Sequence, residues 1–289
     1  MNMLTMTDYI SNEDINQVLE FCFKEDFGKV GDITSDVIFG GDNNKETVAI
    51  LKAKDDGIIA GIELFEMIFK RINSKAKFIV HKNDGDHIDY GDDILEVHGS
   101  IREILKAERL AMNFIGRLSG ISTMTNEFVN LVSHTNCKIL DTRKTTPGIR
   151  FAEKYAVKVG GGVNHRRGLF DEIMIKDNHI DSNGGISECV SLLRDKWGNK
   201  YKIIVEVRDF DELKEALNLN VDRIMLDNMS PETMTDIVKY VDGRVKLEAS
   251  GNIKFHNAKA AAESGVDYIS SSFITAWAQP LDLSLVIKS

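Results

Sequence analysis

The sequence predicts an α/β protein in which a parallel α/β barrel follows a smaller domain with its own sheet. Two observations carry this. Short apolar runs recur through the second half: "CKIL" before Asp141, "EIMI" before Lys176, "KIIV" before Glu206, "RIMLD" to Asp227, "VKLEA" near Glu248 and "DYISSS" around Ser270. The last four are spaced by about 20 to 30 residues, the length of one strand-helix unit. The first part of the chain instead mixes helix with β-rich runs broken by Asp-Gly and Gly-Asp turns.

Composition bounds the rest. With 289 residues, 43% of them apolar, the chain can bury a sizeable core. A formal charge of −9 argues against a general nucleic-acid or membrane-surface partner, because both attract a positive field. Any anion must therefore meet a local cationic pocket. Cys22, Cys137 and Cys189 lack the paired spacing of a zinc site or a redox dithiol. They read as buried free thiols in a reducing, cytoplasmic setting. The run "IIAGIELFEMIF", about 12 residues with Glu63 and Glu66 inside it, is too short and too charged to span a bilayer. No basic segment followed by an apolar one suggests a secretory signal.

Each early element has its own reason. In "SNEDINQVLEFCFKEDFG", Ser11 is placed to cap a helix, Ile15, Val18, Leu19, Cys22 and Phe23 share one face, and Gly28 ends it. "TVAILKAKDDGIIAG", "AKFIVHKNDGDHI" and "DDILEVHG" predict a small sheet, with a helix at "ELFEMIFKRI". His81, His87 and His98 fall there without ligand spacing and read as solvated or hairpin-edge side chains. From Ile101 to about His134 the period is helical, and Gly116 and Gly120 mark a break or a close packing point.

In a parallel barrel the carboxyl ends of the strands converge on one face. Arg143, Lys144, Lys176, Glu206, Asp227 and Glu248 are thus expected around one mouth. Pro147 and Gly148 form the turn that aims the first two. "GGGVNHRRG" adds Asn164, His165, Arg166 and Arg167 behind three glycines, whose backbone can approach a ligand closely and offer amides to an anion. Arginines capture carboxylates in bidentate fashion, so a small polyanionic substrate is expected. Glu206 and Asp227 would repel it unless they neutralise lysines or hold a divalent metal, magnesium suiting carboxylate and phosphate oxygens. Three alternatives stay open: Lys176 and Glu206 as an interior ion pair, Lys176 as a Schiff-base lysine, and a protein that binds the acid without turning it over.

"ERLAMNFIGRLSGIST", "DTRKTTPGIRFAEKYAVKVGGGVNHRRGLFDEIMIKDNHI", "VEV", "IMLDNMSPE" and "LEASGNI", with "GDITS" near the start, resemble the quinolinate phosphoribosyltransferase family, also called nicotinate-nucleotide pyrophosphorylase (carboxylating). The resemblance covers nearly the whole chain. It implies an incomplete parallel α/β (TIM-like) barrel over residues 113–275, a smaller N-terminal α/β sandwich domain over 1–112, and a return of residues 276–289 to that domain. It implies phosphoribosyl transfer from phosphoribosyl pyrophosphate to quinolinate with decarboxylation, giving nicotinate mononucleotide, pyrophosphate and carbon dioxide in de novo NAD biosynthesis. Magnesium is the implied cofactor, and no redox cofactor is needed.

By the same resemblance the chain forms a homodimer, or a hexamer of the same chain, with shared active sites into which Arg109 reaches from the partner. Arg143, His165, Arg166 and Lys176 would hold the two carboxylates of quinolinate. Lys144 would lie near phosphoribosyl pyrophosphate, Glu206 and Asp227 near magnesium and the ribose, and Ser250 and Gly251 against phosphate. Lys144, Lys176, Glu206 and Asp227 are the implied catalytic set. The chain departs from the family near its end, where "ISVGALTHSAPALDLSL" is replaced by "ISSSFITAWAQPLDLSL" from Ile269. Ser272 stands for a glycine and Ala276 for a histidine on the phosphate side, so the hydroxyls of Ser270, Ser271 and Ser272 are expected to serve phosphate instead. The other reading keeps fold and chemistry but takes a different anionic base, as in the ModD-type homologues associated with molybdenum transport.

Overall fold

The computed structural model describes residues 5–288. In chain order it contains α1 (Asn12–Phe27), the single turn α2 (Ser35–Ile38), β1 (Glu46–Ala53), β2 (Gly57–Ile58), α3 (Ile62–Ile72), β3 (Lys77–Val80), β4 (His87–Ile88), β5 (Asp93–Ser100) and α4 (Ile101–Leu131). There follow β6 (Lys138–Leu140), α5 (Arg150–Val159), β7 (Ile173–Ile175), α6 (Asp177–Asn183), α7 (Ile186–Trp197), β8 (Ile203–Val207), α8 (Phe210–Leu217) and β9 (Arg223–Asp227). The chain ends with α9 (Pro231–Val241), β10 (Lys246–Ser250), α10 (Phe255–Glu263), β11 (Tyr268–Ser270), α11 (Phe273–Ala276) and β12 (Leu283–Ile287). No helix among the described residues is long and apolar enough to cross a membrane. By compactness there are two units: Met1–Asn126 with Thr146–Gly161 and Ala278–Ser289, and Glu127–Thr145 with Gly162–Trp277.

The first unit holds an antiparallel sheet in the order β12-β1-β5-β3. The last strand thus pairs with the first, Ala49 opposite Ile287. On α3 the buried Leu64, Phe65, Ile68 and Phe69 recur at helical spacing, the stripe that its sequence predicts. Ser11 caps α1 by accepting the Asp14 N–H at 3.1 Å, and Gly28 ends the helix at φ 53°. Of its expected apolar face, Ile15 and Leu19 are buried, while Val18, Cys22 and Phe23 are half-buried.

For the glycines of α4 the packing alternative holds, and for the glycine triplet the expectation changes. α4 runs without a break, so Gly116 and Gly120 are packing points. A Cβ on Gly120 would stand 1.9 Å from the Gln279 carbonyl oxygen, and one on Gly116 3.2 Å from that of Leu281. In the glycine triplet, Gly160 and Gly161 close α5 by donating to Ala156 O and Lys158 O at 3.0 and 3.1 Å. A Cβ on Gly160 would meet Ser122 O at 2.4 Å. Close approach is needed, but to helix α4, and these two amides are engaged by their own helix rather than offered to an anion.

The second unit is built on six parallel strands in the order β6-β11-β10-β9-β8-β7. β6 and β7 are its two edges, which leaves the barrel incomplete. Paired positions on neighbouring parallel strands share a face. One face carries the row Ile175, Val205, Ile224, Leu247 and the row Val207, Leu226, Ala249, Ile269, Ile139. All of these are buried. The other face carries Glu206, Met225, Glu248 and Tyr268 in one row, with Asp227 and Ser250 in the next toward the carboxyl ends. Glu206 and Glu248 therefore lie within their strands rather than after them, because the pleat alternates side chains and both belong to the polar set.

Candidate active site

The cationic side of the second unit comes from two loops. After β6, Asp141 is fully buried, its Oδ1 accepting the His165 N–H at 2.9 Å and its Oδ2 accepting from Asn164 Nδ2 at 2.6 Å. This carboxylate, to which the sequence drew no attention, fastens the 164–166 segment beside the loop that bears Arg143 and Lys144. Those two side chains are exposed, whereas Arg166 is buried. Burial, and then the charge of Arg143, lower the pKa of the Arg166 guanidinium. The charges of Asp171 and Glu172 act the other way on Arg166, and a dicarboxylate ligand would add to them. Thr275 holds the same loop from the other end of the unit: it is fully buried, and its Oγ1 donates to Lys144 O at 2.9 Å.

The acidic side lies on β8 and β9. Lys176 Nζ is 3.4 Å from Glu206 Oε2, so the interior ion pair weighed from the sequence exists, although its lysine end is exposed. The pKa of Glu206 is raised, first by burial and then by Asp227 and Asp177, against the lowering effect of Lys176. Asn228 Nδ2 donates to Asp227 Oδ2 at 2.8 Å and its Oδ1 accepts from Asn252 Nδ2 at 3.0 Å. Gly251, at φ 90°, abuts this amide, and a Cβ there would be 2.4 Å from Asn228 Oδ1. Glycine is required at 251 both by its backbone angle and by lack of room. Two half-buried carboxylates side by side are hard oxygen donors, and this donor set fits magnesium, which takes one or two protein carboxylates and keeps water or phosphate in its other positions.

The serines divide. Ser271 is buried, donates to Ile253 O at 2.7 Å and accepts the Phe273 N–H at 3.1 Å, so its proton is engaged in the turn. Ser272, half-buried, begins α11 at φ −73°, a conformation that any residue adopts. Ser270 Oγ is buried and has no hydrogen-bond partner among the described residues. Ser250 ends β10, half-buried, in register with Asp227. Arg109 is carried by the first unit, exposed on α4. His165 is buried, with Nδ1 accepting the Arg166 N–H at 2.7 Å and Nε2 3.5 Å from Glu248 Oε2.

Parallel strands whose polar face ends in paired cations on one side and paired carboxylates on the other make this an α/β-barrel enzyme for small, multiply charged anions. Its sequence matches the N-terminal domain of quinolinate phosphoribosyl transferase over residues 32–119 and the C-terminal domain over residues 121–286. The chain belongs to the quinolinate phosphoribosyltransferase family. It is 42% identical over 271 residues to the probable nicotinate-nucleotide pyrophosphorylase (carboxylating) of Bacillus subtilis (strain 168), covering 94% of this chain and 92% of that one. To the chloroplastic nicotinate-nucleotide pyrophosphorylase (carboxylating) of Oryza sativa subsp. japonica it is 40% identical, covering 96% and 78%. The solved nicotinate-nucleotide pyrophosphorylase of Francisella tularensis superposes with a TM-score of 0.92 at 37% identity, covering 99% of this chain and 100% of that one.

Proposed function

We propose that the chain transfers a phosphoribosyl group from phosphoribosyl pyrophosphate to quinolinate with loss of carbon dioxide, forming nicotinate mononucleotide and pyrophosphate for NAD synthesis. The observation that carries this reading is the division of charge along one sheet edge: Arg143 beside Arg166 on one side, Glu206 beside Asp227 on the other. Arg143 and Arg166, with Lys176, grip the two ring carboxylates and turn the pyridine nitrogen toward the sugar. Lys144 and the strand ends at Ser250 and Gly251 receive the phosphates. As the nitrogen attacks the anomeric carbon and pyrophosphate leaves, positive charge grows on the ribose, where Glu206 and Asp227 stabilise it. The same two residues would hold magnesium, which when bound supplies positive charge to the pyrophosphate oxygens. The quaternised ring nitrogen then accepts the electron pair left when the neighbouring carboxylate departs as carbon dioxide, and a proton from water takes its place.

Val30, Ile33, Val37 and Ile38 in the first unit are each more than half exposed. Such a cluster favours a second copy of this chain as its cover, in keeping with a homodimer whose Arg109 serves the partner's site. The free thiols suit the cytoplasm. The test is to supply quinolinate, phosphoribosyl pyrophosphate and magnesium and to measure carbon dioxide and nicotinate mononucleotide. Equimolar release of both is expected. No release from quinolinate, with turnover of another anionic base, would overturn the assignment.

A further inference from the structure

Three charged residues of the polar sheet face have no place in the reaction above: Glu172, just before β7, Arg223 on β9 and Glu248 on β10. Together with His165 and Arg166 they close a ring of polar contacts. Arg166 N–H donates to His165 Nδ1 at 2.7 Å. His165 Nε2 lies 3.5 Å from Glu248 Oε2, which is 2.9 Å from Arg223 Nη1. Arg223 Nη2 is 3.5 Å from Glu172 Oε2, and the Glu172 carbonyl oxygen accepts from Arg166 Nη1 at 3.3 Å. Arg223 is further held over the Tyr268 ring, 5.1 Å from its centroid.

The chemistry of this ring assigns roles. Nδ1 of His165 uses its lone pair on a backbone N–H at 2.7 Å, closer than the Glu172 Oε2 at 3.9 Å, so Nε2 is the ring nitrogen that presents a proton, aimed at Glu248. Glu248 is completely buried, and neither of its carboxylate oxygens has an aligned hydrogen bond among the described residues. Arg223 supplies the opposite charge beside it, 2.9 Å from Oε2. Arg166 is thereby fixed at both its backbone and its guanidinium ends. A long arginine held in one conformation before its ligand arrives loses less freedom on binding.

We propose that Glu248, with Arg223 and Glu172, positions Arg166 through His165, the link in this ring. This rests on the reading of quinolinate as substrate. The first test needs no variant: ¹⁵N spectra of the histidine-labelled wild type near neutral pH, with His165 assigned by its loss in His165→Asn, should show Nε2 protonated and Nδ1 bare. Nδ1 protonation would overturn the proposal. In steady-state kinetics Glu248→Gln should lose about 10- to 100-fold in kcat/KM for quinolinate, the usual penalty for disturbing an outer contact of a binding group. The loss should fall on KM for quinolinate, with KM for phosphoribosyl pyrophosphate within about twofold.

The double variant Glu248→Gln/His165→Asn should be no worse than His165→Asn alone, since both act on one path. Losses that multiply, a shift shared equally by both substrates, or wild-type behaviour of Glu248→Gln would each refute the proposal. Should Glu248→Gln fail to fold, the paired Glu248→Leu/Arg223→Met variant removes both charges together, and it is read by the same KM split. Wild type that releases no carbon dioxide from quinolinate would bring down the reaction itself and this proposal with it. An active wild type matched by Glu248→Gln brings down the proposal alone.

Discussion

Burial first and then the charge of Arg143 lower the pKa of the Arg166 guanidinium, against Asp171 and Glu172, and a dicarboxylate ligand would favour both charged arginines. Arg143 is exposed and contributes little packing. Arg143→Ala should therefore keep the wild-type melting temperature within about 2 °C while kcat/KM for quinolinate falls about 100-fold or more. Full activity in that variant would remove it from the site. Glu206 shows the same tension with opposite sign. Its pKa is raised by burial first, then by Asp227, despite Lys176. A carboxyl group with a raised folded-state pKa contributes stability that is present below the ordinary carboxylate range and is lost as pH rises through the raised value. Glu206→Gln should then melt no lower than wild type at about pH 8, with any advantage shrinking near about pH 4, the ordinary value, while turnover drops about 100-fold. Thermal melts at the two pH values beside an activity assay decide it; a variant that melts well below wild type at the higher pH would show that the Lys176 contact outweighs burial.

At the scale of elements, short segments hold the site in place. α11 has four residues, yet the hydroxyl of its buried Thr275 ties the Lys144 carbonyl at 2.9 Å, with Ser272 O sharing the same proton at 3.3 Å. Thr275→Val keeps the shape and removes the donor. We expect a loss of about 1–3 kcal/mol in denaturant unfolding and a several-fold higher KM for phosphoribosyl pyrophosphate with that for quinolinate little changed. An unaltered KM would confine Thr275 to stability. Much of this level was legible beforehand. The alternation in "IIVEV", "RIMLD" and "KLEAS" already sorted the strands into an apolar and a polar face, and Ser11 and Gly28 already bounded α1. The glycines were not legible in the same way, because a bare backbone signals close approach without naming what approaches. For Gly160 that neighbour is Ser122, and for Gly120 it is Gln279; both are remote in sequence. Ser272 itself needs no glycine-like backbone, since its φ is −73°.

For the whole molecule, the proposed exchange of Arg109 between copies has a distinct signature. Arg109→Ala and Arg143→Ala should each be inactive as pure dimers. Mixed and allowed to exchange subunits, they should regain about a quarter of wild-type activity, because half of the random dimers carry one site with both arginines intact. No recovery, with subunit exchange verified by mass, would argue for sites completed within one chain. The net charge of −9 suits this design: the body repels stray polyanions, and only the local arginine cluster admits one.

The sequence by itself determined which chemical groups the strand ends carry, since side-chain alternation and strand-helix spacing are local properties written in order along the chain. It also carried the family, through long motifs around Arg143, His165 and Lys176. What only the tertiary structure decided is which charge faces which. Lys176 meets Glu206, Arg223 meets Glu248, and the His165 ring turns inward to Glu248. Those pairings depend on register between strands far apart in sequence and on burial that makes an unpaired charge costly, and neither is a property of any single stretch of residues.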